Sequence, residues 1–181
     1  MAIDQQESQD GTLSTIDQVR MLRKLMLYWD GQWFLKAAEA FGLEAAIDLN
    51  ARVRASFGRI EMRILLRALG RPRARDLAEA MHMLRIYVSA FMGEALRAEF
   101  AAVEPQHAEV IIIRCAAFEG AKRAALSRVD QACVACETVW QAWLETLLPG
   151  ARIDVCYPAR MGKGDPRCRF VIQADLEAPP A

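Results

Sequence analysis

Hydrophobic residues recur every three or four positions through the first half of the chain, which is the spacing of helices with one buried face. The first run begins near Thr15 and ends at Phe41, where Gly42 is the residue type most common just after a helix. Gly70 and Pro72 mark another helix end. The pattern predicts four helices, at about 15–41, 46–57, 60–69 and 73–92.

The period of the pattern changes to two after Gly93, as expected for strands with one buried face. Leu96 and Ala98 alternate with charged residues, and Val110–Ile113 is a β-branched run of strong strand propensity. Strands are predicted at about 96–102, 109–115, 152–157 and 167–174, with a helix at about 129–148. We therefore expect an α+β fold, in which an N-terminal helical segment precedes a β-β-α-β-β antiparallel sheet packed against helices.

The 181 residues are enough for a sizeable core, and 54% hydrophobic with 25% charged residues is ordinary for a globular protein. The predicted organisation has four parts. They are a disordered tail at 1–14, a helical subdomain at 15–92, an α+β core bearing the cysteines at 93–176, and a short tail at 177–181.

The charge balance excludes some classes of partner. Acidic and basic residues number 23 each, so we expect neither nucleic acid nor an anionic membrane surface as a partner. The first residues are polar, no signal sequence is apparent, and no apolar run reaches the ~20 residues that span a bilayer. We expect a cytoplasmic location, and the apolar long helices make a homodimer a further hypothesis.

All five cysteines lie after residue 114, at positions 115, 133, 136, 156 and 168. Cys133 and Cys136 are three apart and share a helix face with Trp140, Trp143 and Leu147, so that face is predicted to be buried. We expect the pair to lie one turn or more inside its helix. Redox cysteine pairs usually lie at a helix N-terminus, so this position disfavours redox catalysis.

The alternation along each strand predicts which side of the sheet the remaining three cysteines face. Cys168 falls on the apolar side of the last strand. Cys115 shares its side with Ile111 and Ile113, so it is also predicted to point inward. Cys156 falls on the charged side of its strand and is predicted to face solvent. Four of the five thiols are thus expected to converge between the late helix and the sheet.

Such a cluster has three interpretations. Free cysteines often serve as small buried hydrophobes, with no function beyond packing. Alternatively, Cys133, Cys136 and Cys168 could bind zinc or another divalent metal, although structural zinc normally uses two cysteine pairs and this chain has one. The third interpretation is a thiol-lined pocket for a small-molecule ligand or substrate.

The late cysteines also carry a resemblance. Cys133-Val-Ala-Cys136, followed by Gly-Asp-Pro-Arg-Cys-Arg-Phe at 164–170, resembles the signature of the L-2-amino-thiazoline-4-carboxylic acid hydrolase-like family. The helical half, with Trp-Phe-Leu at 33–35, resembles uncharacterised cytosolic bacterial proteins that share this pattern. The β-β-α-β-β core with late cysteines is similar to 4-vinyl reductase domains, which bind small molecules. The resemblance covers about residues 20–175. Arg169 stands where the hydrolase branch often has an acidic residue.

The hydrolase resemblance implies cleavage of a C–N or C–S bond in a small carboxylate-bearing compound. It implies catalytic roles for Cys168 and Cys136, with a cysteine as nucleophile, and for Asp165 in proton transfer. Asp165 has an alternative role in shaping the Gly-Asp-Pro turn. The residues expected to contact a ligand are Cys133, Cys115, Arg160, Arg167 and Trp140, with either arginine holding the carboxylate. The alternative function is a noncatalytic domain that binds a small molecule, cofactor or metal in the same cavity.

Overall fold

The computed structural model describes residues 12–176. Its helices are α1 (Thr15–Phe41), α2 (Leu43–Ala68), α3 (Leu77–Tyr87), α4 (Ala116–Arg123), α5 (Val129–Ala132) and α6 (Val134–Leu147). Its strands are β1 (Leu96–Ala101), β2 (His107–Cys115), β3 (Arg152–Ala159) and β4 (Cys168–Asp175). Most of the predicted N-terminal tail, residues 1–11, and the predicted tail at 177–181 lie outside the described residues.

The four strands form one antiparallel sheet in the order β1-β2-β4-β3. Its inner face carries Val110 and Ile112 from β2 with Phe170 and Ile172 from β4, all of them buried. Apolar side chains of α2, α3 and α6 join this face in a single hydrophobic cluster, which includes residues from both predicted halves of the chain. The predicted α+β fold is confirmed.

The ends of two helices follow from capping. The side chain of Ser14 accepts a hydrogen bond from the Asp17 N–H, and α1 stops at Gly42, whose φ of 87° favours glycine, so the predicted helix at 15–41 is confirmed. The predicted helix at 73–92 begins later than expected. The Asp76 carboxylate accepts from the Glu79 N–H and starts α3 at Leu77.

The two helices predicted at 46–57 and 60–69 are one helix, α2, and the break predicted near Gly58 is wrong. Gly58 is buried inside α2 at its contact with α6. A Cβ atom there would lie 3.0 Å from Cγ2 of Val139 and 3.2 Å from Cδ1 of Trp143. Glycine at this position therefore lets the two helix backbones approach closely, and it does not end the helix.

This contact yields a prediction about glycine replacement. Gly58→Ala is expected to lower the free energy of unfolding by about 1 kcal/mol, because overpacking costs ~1–3 kcal/mol and outweighs the ~0.5–1 kcal/mol that alanine adds to a helix. Gly31 in α1 has no atom within 4 Å of an added Cβ, so Gly31→Ala is expected to stabilise the protein. Urea unfolding followed by circular dichroism measures both. Equal effects of the two substitutions would contradict the packing role.

The late helix predicted at 129–148 is also different from the expectation. It is divided into α5 and α6, and α4 lies between β2 and α5. α6 begins at Val134, and Cys133 is its N-cap residue. The Cys133–Cys136 pair therefore lies at the N-terminus of a helix, and the predicted position one turn or more inside is wrong.

Candidate functional site

A cavity of about 570 Å³ lies between α1, α2, the inner face of the sheet and the α4–α6 segment. Its lining is mostly apolar. The chain has four tryptophans, and all four line it: Trp29 and Trp33 from α1, and Trp140 and Trp143 from α6. The two α1 tryptophans are exposed to solvent while the two α6 tryptophans are buried. The cavity therefore extends from an open side at α1 to an aromatic inner end at α6.

Four cysteines line the cavity, namely Cys115, Cys133, Cys136 and Cys168. They come from β2, the start of α6 and the start of β4. Cys156 is exposed on β3, as its place on the charged side of that strand predicted. Four thiols from three separate elements therefore line one cavity.

Cys115 lines the cavity, but the structural reason for its position differs from the predicted one. The buried residues of β2 are Ala108, Val110 and Ile112, and Ile113 is exposed, so the predicted inward face with Ile111 and Ile113 is wrong. The register with β1 shifts at this point, where Ile113 has no partner. Such a bulge reverses the alternation of side chains, and it returns Cys115 to the inner face.

The backbone of the loop between β3 and β4 contacts two of the thiols. The Met161 N–H donates to Sγ of Cys168 at 3.3 Å. Gly162 lies against Cys133, because a Cβ at Gly162 would be only 2.8 Å from its Sγ. The helical turn Met161–Lys163 thus forms one wall of the site with its backbone.

The pKa values of the cavity thiols are all raised. Burial is the first cause for each, since removal from water disfavours the thiolate. Burial and the neighbouring thiols raise the pKa of Cys133 to about 11, and they raise the pKa of Cys136 well above its usual range. The pKa values of Cys115 and Cys168 shift in the same direction. At neutral pH the four groups are therefore neutral thiols.

Two of the predicted polar site residues do not line the cavity. Asp165 is exposed, and its Oδ2 accepts a hydrogen bond from the Arg160 N–H at 2.7 Å, so it shapes the loop. Arg167 is exposed just before β4. Arg160 does line the cavity, where it pairs with Glu137 and stacks over the Tyr157 ring at 4.8 Å. Arg160, one of three arginines that line the cavity, thus already has an anionic partner.

A buried carboxylate behind the cavity wall was missed by the sequence analysis. Glu61 of α2 is 5% exposed, and its Oε2 accepts a hydrogen bond of 2.6 Å from Nε1 of Trp143. The sequence does contain a signal for it, because Glu61 lies three residues after Gly58 and four before Leu65, both of which are buried. This bond fixes the orientation of the Trp143 ring at the cavity wall.

The predicted metal is not matched by a ligand set. Among residues 12–176, no group of three or more His, Cys, Asp or Glu side chains is arranged to hold a metal ion. Within the same described range, no helix is both long and apolar enough to cross a membrane.

The expected difference in reactivity between the Cys156 thiol and the cavity thiols can be tested by alkylation. With iodoacetamide at pH 7.5, we expect one fast site, Cys156, and four slow ones, because the thiolate is the reactive form. For Cys133, a rise in pKa from 9.0 to about 11 reduces the thiolate fraction roughly a hundredfold. Peptide mass spectrometry over time identifies each site, and Cys156→Ser should remove the fast phase. Fast alkylation of Cys133 or Cys136 would contradict the structure.

Comparison with known proteins identifies structural neighbours only. No protein-family profile matches the chain, and no curated protein does. The phenol-responsive sensory domain of the transcription activator PoxR, solved with phenol, is 16% identical with a TM-score of 0.56 over 79% of this chain and 71% of that one. A trafficking protein particle complex subunit 3 from Naegleria fowleri, covalently bound to palmitic acid, is 11% identical with a TM-score of 0.58 over 86% of this chain and 96% of that one. At these identities the similarity shows a shared fold, and neither family suggested by the sequence motifs is supported by a match.

Proposed function

We propose that this protein binds an apolar small molecule in its thiol-lined cavity without transforming it. The observation that carries the proposal is the cavity, whose volume of about 570 Å³ lies within the ~300–1,000 Å³ typical of small-molecule sites. The two structural neighbours hold phenol and palmitic acid, which supports a ligand-binding role for this fold. The resemblance to 4-vinyl reductase domains, drawn from the sequence, agrees with it.

The lining indicates a ligand with an apolar body. Aromatic rings at Phe57, Trp140 and Trp143 provide surfaces for stacking on a ring or covering an acyl chain. Of the three arginines that line the wall, Arg23 and Arg160 are engaged elsewhere, and Arg54 lies over the Phe57 ring at 6.0 Å. Arg160 pairs with Glu137, and Arg23 donates from Nε to the Ala90 carbonyl at 2.9 Å. A carboxylate on the ligand would therefore compete with existing partners at Arg23 and Arg160, but among the described residues no ion pair is found at Arg54.

Hydrolysis, as predicted from the sequence, stays a second candidate with less support. A cysteine nucleophile acts as its thiolate, and the raised pKa values keep the cavity thiols protonated at neutral pH. Asp165, the predicted proton-transfer group, does not line the cavity. Turnover of a thiazoline carboxylate that is lost in a folded Cys168→Ser variant would establish the hydrolase and overturn the noncatalytic proposal.

The proposed function can be tested with the tryptophans themselves. Because all four line the cavity, intrinsic fluorescence should change saturably, at one ligand per chain, on titration with phenol, palmitate or the dye N-phenyl-1-naphthylamine. Phe57→Ala is expected to weaken binding about tenfold by removing one aromatic wall, whereas Tyr28→Ala, outside the cavity, should leave it unchanged. The proposal fails if none of the three probes gives saturable binding, or if Phe57→Ala and Tyr28→Ala behave alike.

A further inference from the structure

Helix α1 carries an apolar surface that nothing in the described chain covers. We name it the α1 seam and define it as Leu22, Leu25, Met26, Trp29 and Trp33, which are between 44% and 67% exposed. Their spacing of three and four residues places them along one side of α1, in the pattern by which two helices pack together. Monomeric proteins rarely expose a contiguous apolar patch of this kind, which marks an interaction surface.

The seam is continuous with the open side of the cavity. Met26, Trp29 and Trp33 belong to the seam and also line the cavity, and the exposed α2 residues Leu49 and Val53 complete the rim. On this side residues 12–176 form a rim but no cover. The described part of a single chain therefore leaves the proposed binding site open.

The shape of the seam points to a second copy of this chain as its partner. A shallow groove of about 330 Å³ follows the C-terminal half of α1, between Trp29, Trp33 and Phe41. The N-terminal half of the same side projects Leu22 and Leu25. One surface thus contains both a groove and the side chains to fill it, so a two-fold antiparallel pairing would satisfy both copies at once.

We infer that two copies pair through the α1 seam and that each copy covers the open side of the other's cavity. The exposed apolar side chains of the seam, groove and rim offer on the order of 1,000 Å² per chain, against about 800 Å² per partner in a stable interface. This inference rests on the proposed function for the role of the cavity, and it develops the homodimer hypothesis by naming the surface.

The experiment uses the double variant Leu22→Glu with Leu25→Glu. Neither residue lines the cavity, so the variant leaves its own binding site intact. Light scattering after size exclusion should give twice 20.3 kDa for the wild type and 20.3 kDa for the variant. The affinity for N-phenyl-1-naphthylamine, measured by dye fluorescence, should fall about tenfold or more, because the cavity loses its cover.

The matched control is Met21→Glu with Tyr28→Glu, at exposed positions about a third of a turn away from the seam. It should stay dimeric and bind the dye like the wild type. A monomeric wild type at 100 µM, or a dimer that survives in the seam variant, overturns the pairing. A monomeric seam variant with unchanged affinity overturns the covering role. In a last outcome, the seam variant is monomeric as expected but the wild type binds no probe. This result would reject the proposed function and would still support the pairing.

Discussion

Replacing Trp140 by alanine is expected to lower the free energy of unfolding by about 3–5 kcal/mol. Trp140 is buried, and its ring meets those of Trp143 and Phe170 edge-on, each at a centroid distance of 5.3 Å. The substitution removes both ring contacts and enlarges the cavity beside the core. Domains of this size are stable by ~5–15 kcal/mol, so the loss should appear as a large shift of the urea midpoint.

The control for this prediction is Tyr28→Ala, an aromatic truncation on the exposed side of α1. It should change the free energy of unfolding by less than about 1 kcal/mol, because exposed side chains contribute little. Trp140→Phe should fall between the two, since a ring remains against Phe170. Similar destabilisation by Trp140→Ala and Tyr28→Ala would show that Trp140 is not a central core residue.

The fold class was predictable because it depends on the period of the hydrophobic pattern. The change of period near Gly93 separates the helical segment from the strands, and it corresponds to the observed change from helices to β1. The break within α2 was predicted wrongly because glycine was interpreted as a helix end. The buried positions Ala51, Gly58 and Leu65 are seven residues apart and keep one helical phase throughout. A small residue at a buried position that keeps the same helical phase as its neighbours indicates close packing between helices.

The strand faces of two cysteines were predictable from the sequence, and the position of a third was not. Alternation along β4 placed Cys168 on the inner face, and the charged side of β3 placed Cys156 outside. Cys115 was assigned to the inner face for the wrong reason. The bulge at Ile113 depends on how β1 and β2 pair, which no periodicity within one strand reveals.

Long-range contacts account for the rest of what the sequence did not show. The bond between Glu61 and Trp143 joins residues 82 positions apart, and the ring of Trp33 reaches the cavity only because α1 packs beside α2. Local patterns specify which face of a helix is apolar. They do not specify which other element covers that face. For the α1 seam, no other described element covers the apolar side, so the oligomeric state is the measurement that tests the proposed pairing.

The second large effect is expected on the free energy of unfolding when the pH is raised. The free energy of unfolding should fall above about pH 9, because the four cavity thiols have raised pKa values in the folded protein and ordinary values of ~8.5 when unfolded. In this window the unfolded chain has lost thiol protons that the folded chain still holds, so unfolding is favoured as pH rises. Each thiol contributes at most about 1.4 kcal/mol per pH unit between the two values.

Cys136 is expected to contribute strongly, since burial raises its pKa well above its usual range. Cys136→Ala should therefore flatten the alkaline decline, while Cys156→Ala, at the exposed cysteine, should leave it unchanged. Urea midpoints at pH 8, 9 and 10, in the presence of reductant, separate the two variants. Above pH 10 the decline should persist in every variant, because burial also raises the pKa values of Tyr87 and Tyr157. A wild-type stability that is flat from pH 8 to 10 would mean that the thiols are not held in a desolvated cavity.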